Sequence, residues 1–214
     1  MIATRTERQT FLTIPGTDIE VQTDGSLPPY HADVYVTTND DGSYRLAWLL
    51  NDDDGYGLWE WSDGSGDPEQ WSNGAFKDFR NHYDRYDGMD GQDGRDAFFA
   101  AMVEKVGEAN VFLVEVYSHG LESFSRVDAG RFYPDRQWDV CASCVLAVPP
   151  DVTNPAEWAD GVLESYTSVV NGDVYGIVSL DVPADYDGSP LETDSVWGFI
   201  GSEYAEEAAK SGDF

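Results

Sequence analysis

Asp33-Val34-Tyr35-Val36-Thr37-Thr38-Asn39-Asp40-Asp41-Gly42-Ser43-Tyr44-Arg45-Leu46-Ala47-Trp48-Leu49-Leu50 carries the plainest structural signal in the chain. Two runs rich in β-branched and aromatic residues flank an Asn-Asp-Asp-Gly turn, a pattern that predicts an antiparallel hairpin of strands at 33–38 and 43–50. Alternation through Ala32-Asp33-Val34-Tyr35-Val36 predicts one wet and one buried face. Asn51-Asp52-Asp53-Asp54-Gly55 closes the second strand and opens an aromatic stretch, Tyr56-Gly57-Leu58-Trp59-Glu60-Trp61.

Working outward, residues 10–14 read as another strand. Residues 74–86 read as a short helix, because Phe76, Phe79, Tyr83 and Tyr86 recur at spacings of three or four. Residues 87–96 run Asp-Gly-Met-Asp-Gly-Gln-Asp-Gly-Arg-Asp and read as a solvated linker. An EF-hand loop needs oxygen ligands at alternate positions and a Glu at the twelfth. Counted from Asp87, the third position is Met89, the fifth Gly91 and the twelfth Phe98, so the calcium pattern fails. Asp93 or Asp96 is the expected cap of a helix over 96–107 whose apolar stripe is Phe98, Phe99, Met102, Val103 and Val106. Strands are expected at 110–117, 122–127, 144–148, 173–180 and 195–200. Pro155 in a first turn predicts a helix ended by Asn171-Gly172, and a last helix begins near Ser202. Strands and helices mix without βαβ alternation, which predicts an α+β fold with a largely antiparallel sheet and three to four helices. The length suits a single domain, 1–214, or two lobes: a β-rich one at 1–90 and an α+β one at 91–214.

The chain has 41 acidic residues, 27 of them Asp, against 9 Arg and 3 Lys, for a net charge of -29. An acidic chain poor in aromatics would be disordered, but aromatics make up 14% here and hydrophobic residues 41%, enough for a core. The surface repels nucleic acid and anionic membranes and attracts cations and basic proteins. No apolar run reaches the ~18 residues of a membrane span, and the first residues lack a signal-peptide core, so a cytoplasmic setting is expected. Cys141 and Cys144 form a lone Cys-x-x-Cys that runs into a strand rather than a helix, and they read as ordinary thiols. No metal and no cofactor is expected.

Phosphate-loop, nucleophile-elbow and zinc-protease motifs are all missing from the sequence. His119, at an expected strand end beside Ser118, is the position where a catalytic base would fit. Trp59, Trp61 and Trp71 could stack a base or sugar, but 59–74 holds no Lys or Arg, so packing is the expected role.

Three segments of the second half carry a resemblance. The first is Val116-Tyr117-Ser118-His119-Gly120, followed by Trp138-Asp139. The second is Gly172-Asp173-Val174-Tyr175-Gly176-Ile177-Val178. The third is Asp194-Ser195-Val196-Trp197-Gly198-Phe199-Ile200-Gly201. In order and spacing, over about 110–210, they resemble a group of acidic proteins of tailed bacteriophages, many from hosts with GC-rich genomes. The resemblance marks Tyr117, His119, Trp138, Asp139, Asp173, Tyr175, Trp197 and Phe199 as pattern residues. It implies a setting, a small accessory protein of a virus or mobile element, and no particular activity.

The acid has two readings. A folded chain of this mass exposes roughly 10,000 Å², so an even spread gives about one net charge per 340 Å². B-DNA has a charge every ~1.7 Å of axis, or near one per 110 Å² on a cylinder about 20 Å across. Even spreading is therefore about threefold too dilute to imitate DNA, and segregation decides. The first expectation is a non-enzymatic DNA-mimic or anti-defence protein that blocks a basic nucleic-acid-binding host protein, such as a nuclease. Asp52, Asp53, Asp54, Asp87, Asp90, Asp93 and Asp96 are its candidate surface. The alternative is a halophilic virion or structural domain, since an Asp-rich, Lys-poor chain suits molar salt, where the Debye length is about 3 Å. An enzyme using His119 is the third.

Overall fold

The computed structural model describes residues 2–4, 11–23, 27–29, 32–52, 74–80, 85–212 and 214. In chain order the strands of the first part are β1 (Ile2–Thr4), β2 (Leu12–Thr13), β3 (Glu20–Val21), β4 (Asp33–Thr38), β5 (Tyr44–Asn51) and β6 (Ala75–Asp78). Next come α1 (Gly91–Val106), β7 (Val111–His119), β8 (Leu121–Arg126), the single turn α2 (Arg136–Asp139) and β9 (Val140–Ala147). The chain closes with α3 (Pro155–Val170), β10 (Val174–Val182), β11 (Asp194–Ile200) and α4 (Ser202–Ser211). Every pairing between these strands is antiparallel, and the fold is α+β.

The chain divides into two compact units, Met1–Tyr56 with Gly172–Phe214, and Gly57–Asn171. The lobe boundary expected between 90 and 91 falls inside the second unit, because β6 pairs with β9 and so shares a sheet with the later strands. In unit 1 the strand order is β1-β4-β5-β10-β11. The expected hairpin forms β4 and β5, with Tyr35 opposite Ala47 and Thr38 opposite Tyr44. β10 pairs with β5 from Tyr175↔Asn51 to Val182↔Tyr44, so the end of β5 and the start of β10 lie side by side. Unit 2 is an insertion between two neighbouring strands.

Strand alternation gives unit 1 two buried faces. Val34, Val36, Leu46, Trp48, Val178 and Leu180 pack on one, together with the β2–β3 hairpin. Tyr35, Ala47, Ile177 and Phe199 pack on the other against Ala205, Ala208 and Ala209 of α4. Small residues on α4 let its backbone come close to the sheet.

Unit 2 has the order β6-β9-β7-β8. Phe98 and Met102 of α1 cover one face with Val111, Val145 and Ala147. Ala159 and Leu163 of α3 cover the other with Phe76, Val114, Phe124 and Leu146. Burying Leu163, 1% exposed, stabilises the unit by about 2 kcal/mol. Asn171 ends α3 and ties it to β8: its Oδ1 accepts the Glu122 N–H at 2.9 Å, and its Nδ2 donates to the Glu122 carbonyl at 2.7 Å.

Two expectations are corrected here. In place of the helix expected over 74–86, Ala75–Asp78 is the edge strand β6, while residues 81–84, Tyr83 among them, lie outside the described residues. Phe76 and Phe79 serve opposite faces of the sheet, as a strand places residues three apart, and pairing with β9 overrides the local helical spacing. The linker over 87–96 is largely structured. Asp87 and Gly88 form a tight turn at φ 50° and 77°, with paired Tyr86 and Met89 backbone hydrogen bonds of 2.8 and 2.9 Å. α1 then starts at Gly91, so its N-cap is Asp90, and Asp93 and Asp96 lie within the helix. Inside α1, Gly94 is required by closeness: a Cβ there would sit 2.5 Å from the Met89 carbonyl oxygen.

Candidate functional site

The pattern residues separate into two places, one in each unit. In unit 1 they build the sheet. The Trp197 ring lies flat on Gly176, its register partner, where a Cβ would meet three ring atoms at 2.3–2.6 Å. Trp197 Nε1 donates to Ser195 Oγ at 3.1 Å. Phe199 is buried under α4, and the Gly201 N–H donates to the Asp173 carbonyl at 2.9 Å, closing the junction between β11 and α4. Burial raises the Tyr175 pKa, and its hydrogen bond with Asp173 adds to the rise. Asp173, Tyr175, Trp197 and Phe199 therefore have a packing role.

In unit 2 the pattern residues meet at the surface. His119 ends β7, where Gly120 makes the tight turn into β8 at φ 85°. Its Nδ1 lies 2.9 Å from Asp139 Oδ2, at the far end of α2. Asp135, the N-cap of α2, is four residues before Asp139, so the helical turn sets both carboxylates on the side of His119. Donor atoms of His119, Asp135 and Asp139 all lie within 4.8 Å of one another.

The surroundings hold this arrangement in place. The Tyr117 ring lies between His119, with centroids 6.0 Å apart and planes at 5°, and Tyr133, at 4.6 Å and 22°. Burial raises the Tyr117 pKa, and the Asp135 and Asp139 charges push it further. Arg136 turns back from α2 to Glu115, a fully buried carboxylate where β7 and β9 slip register. Arg136 Nη1 is 3.1 Å from Glu115 Oε1, and Nη2 contacts Oε2. The Glu115 hydrogen bond raises the Arg136 pKa, so the guanidinium stays charged. A buried carboxylate needs such a partner, and this one pins α2 to the sheet. Around the site, Leu121, Phe132 and Trp138 are 67%, 87% and 80% exposed, a concentration of apolar side chains on an otherwise acidic surface. The His–Asp couple can orient an imidazole, and with Asp135 it can ligate a cation.

The candidate acidic residues divide between the two units. Asp53 and Asp54 lie outside the described residues, as do Trp59, Trp61 and Trp71. Asp52 is half-buried in unit 1, where its N–H donates to the Val174 carbonyl. Asp87, Asp90, Asp93 and Asp96 are exposed at the start of α1 in unit 2. Two of these are compensated: Asp90 is 3.7 Å from Arg85, and Asp96 is 2.6 Å from Arg95.

A second acidic group went unread in the sequence. The Asp40-Asp41 turn of the β4–β5 hairpin adjoins the loop after β10: a Cβ on Gly42 would lie 3.7 Å from that of Ala184. Asp185 and Asp187 flank the same loop, and all four carboxylates are exposed. Asp41 accepts the Ser43 N–H at 2.9 Å and hydroxyl at 2.6 Å, and Asp187 accepts the Ser189 N–H at 2.9 Å. These hydrogen bonds hold both carboxyls below the usual carboxylate range. Arg45, next in the hairpin, is taken by Asp181 at 2.7 Å.

Sequence reading also passed over Glu115, Tyr133, Asp135 and Arg136. A lone Glu inside the apolar run Val111–Val116 was the available signal for a buried pair, and Asp135 and Asp139 four apart was the signal for a shared face. Cys141 is exposed and Cys144 buried, both as free thiols, and burial pushes the Cys144 thiol up. No helix among the described residues is long and apolar enough to cross a membrane. Comparisons with models of known families, with curated proteins and with solved structures found no match.

Proposed function

We propose that this protein is a non-enzymatic acidic accessory factor of a phage or similar element, acting in the host cytoplasm. It binds and blocks a basic, nucleic-acid-binding host protein such as a defence nuclease. The observation that carries this reading is the convergence of Asp40, Asp41, Asp185 and Asp187 at one end of the unit 1 sheet. Two segments more than a hundred residues apart, the turn bearing Asp40 and Asp41 and the loop bearing Asp185 and Asp187, come into contact at Gly42 and Ala184, and hydrogen bonds within the turn and the loop hold the Asp41 and Asp187 carboxyls below the usual range. Four exposed carboxylates on two adjoining segments supply the grouping that even spreading lacks, and negative charge so grouped suits a basic groove.

The test is inhibition of basic DNA-binding nucleases by the purified chain at modest salt. Replacing Asp40, Asp41, Asp185 and Asp187 with Asn is expected to weaken inhibition at least tenfold. An intact chain that inhibits none of them and binds no basic nucleic-acid-binding protein overturns the reading.

A second reading, adaptation to high salt, draws on the division of charge. Unit 1 has twenty acidic and four basic residues, a net -16, and unit 2 has twenty-one and eight, a net -13. Environmental acid is expected to load both units alike. It predicts that folding, followed by circular dichroism, requires molar KCl. Full structure at 0.1 M KCl removes it.

A further inference from the structure

We propose that His119, Asp135 and Asp139 form a binding site for one divalent transition-metal ion, with Zn2+ the best fit to the donors. Imidazole nitrogen favours zinc, cobalt and similar ions over magnesium and calcium, which take oxygen ligands. Ligands about 2.1 Å from one ion are separated by about 3.0 Å at right angles and about 3.4 Å at the tetrahedral angle. His119 Nδ1 and Asp139 Oδ2, 2.9 Å apart, already stand close to that spacing. Asp135 completes the triad from within 4.8 Å by a side-chain rotation.

Three features distinguish this group from the many other carboxylates of the chain. Asp135 occupies an N-cap position but makes no side-chain cap, which leaves its oxygens available to His119 and Asp139. Two carboxylates face one another with no Lys or Arg paired to either among the described residues, and a cation would relieve their repulsion. The scaffold is built from the sheet outward. The ring stack of Tyr133, Tyr117 and His119 sets the imidazole plane, and the Glu115–Arg136 pair anchors the turn bearing both Asp residues. Three protein ligands leave a position open for water or for a donor from another molecule, as at zinc centres that engage a further ligand. The exposed Trp138 and Phe132 stand on the same surface segment.

The experiment is calorimetric titration of the full chain with ZnCl2 in 0.5 M KCl and 5 mM MgCl2, which suppress diffuse binding to the acidic surface (about 4 Å Debye length). One equivalent is expected to bind. His119→Ala and Asp139→Asn should each weaken binding more than tenfold, whereas Asp87→Asn and Asp93→Asn, outside the site, should leave it unchanged. Binding at many weak sites, or binding indifferent to His119→Ala, overturns the proposal. Should a variant fail to fold, NMR of the intact chain decides: Zn2+ must shift the His119 ring resonances at one equivalent, and unmoved resonances overturn it as well.

Discussion

The pattern residues of the two units look alike in sequence, a few aromatics and acids beside glycines, yet they have different fates. In unit 1, Phe199 is buried under α4, and the Trp197 ring, though half-exposed, packs on the buried Gly176. In unit 2, His119, Trp138 and Asp139 stand at the tip of a hairpin and on a single helical turn. What separates them is the number of neighbours able to cover each residue. β11 runs beside β10 and leads into α4, whereas α2 contacts mainly β7 among the described residues. Similar residues therefore mark packed scaffold at Gly176 and Phe199 and open surface at His119 and Trp138.

The largest expected effect breaks the scaffold side. Gly176→Ala places a methyl into the Trp197 ring and should cost about 1–3 kcal/mol in chemical denaturation. In a Trp197→Ala background the same change should cost much less. An undiminished loss would mean the glycine is there for another reason.

A smaller effect separates the core of unit 2 from its surface site. Burial, helped by the Asp78 charge, raises the Tyr166 pKa from its ordinary 10.0 to about 12. The fold favours the neutral phenol, so its contribution is complete below pH 10 and is lost as pH climbs through about 12. Stability should fall across that window, and Tyr166→Phe should remove this part of the alkaline loss. The smallest effect belongs to the surface. Trp138→Ala, 80% exposed in the native chain, should change stability by no more than about 0.5 kcal/mol. A loss of scaffold size there would erase the contrast between the two regions.

Much of the fold was legible from local pattern. The 33–50 hairpin, the strand at 110–117, and the helix that opens on Pro155 and ends at Asn171 all formed where periodicity and turn residues put them. Failures came where pairing with distant chain outweighed local spacing. Phe76 and Phe79 read as a helix face until β9 supplied the ladder that made them a strand. The start of α1 was misplaced because a chain of Asp-Gly repeats offers several equivalent caps. At the site, His119 and Asp139 were both singled out, but not as partners. Asp135 went unread because one acid among forty-one carries no signal by itself.

Composition and local pattern determined that this chain would carry a strongly negative charge and an aromatic-rich core and would be α+β, since these depend on total charge, aromatic content and periodicity. Where the charge gathers was decided by tertiary structure. The turn at 39–42 meets the loop after β10, and a helical turn sets Asp135 and Asp139 beside His119, twenty residues before Asp139. Local charge density is a property of neighbours in space, and neighbours in space are set by which strands pair.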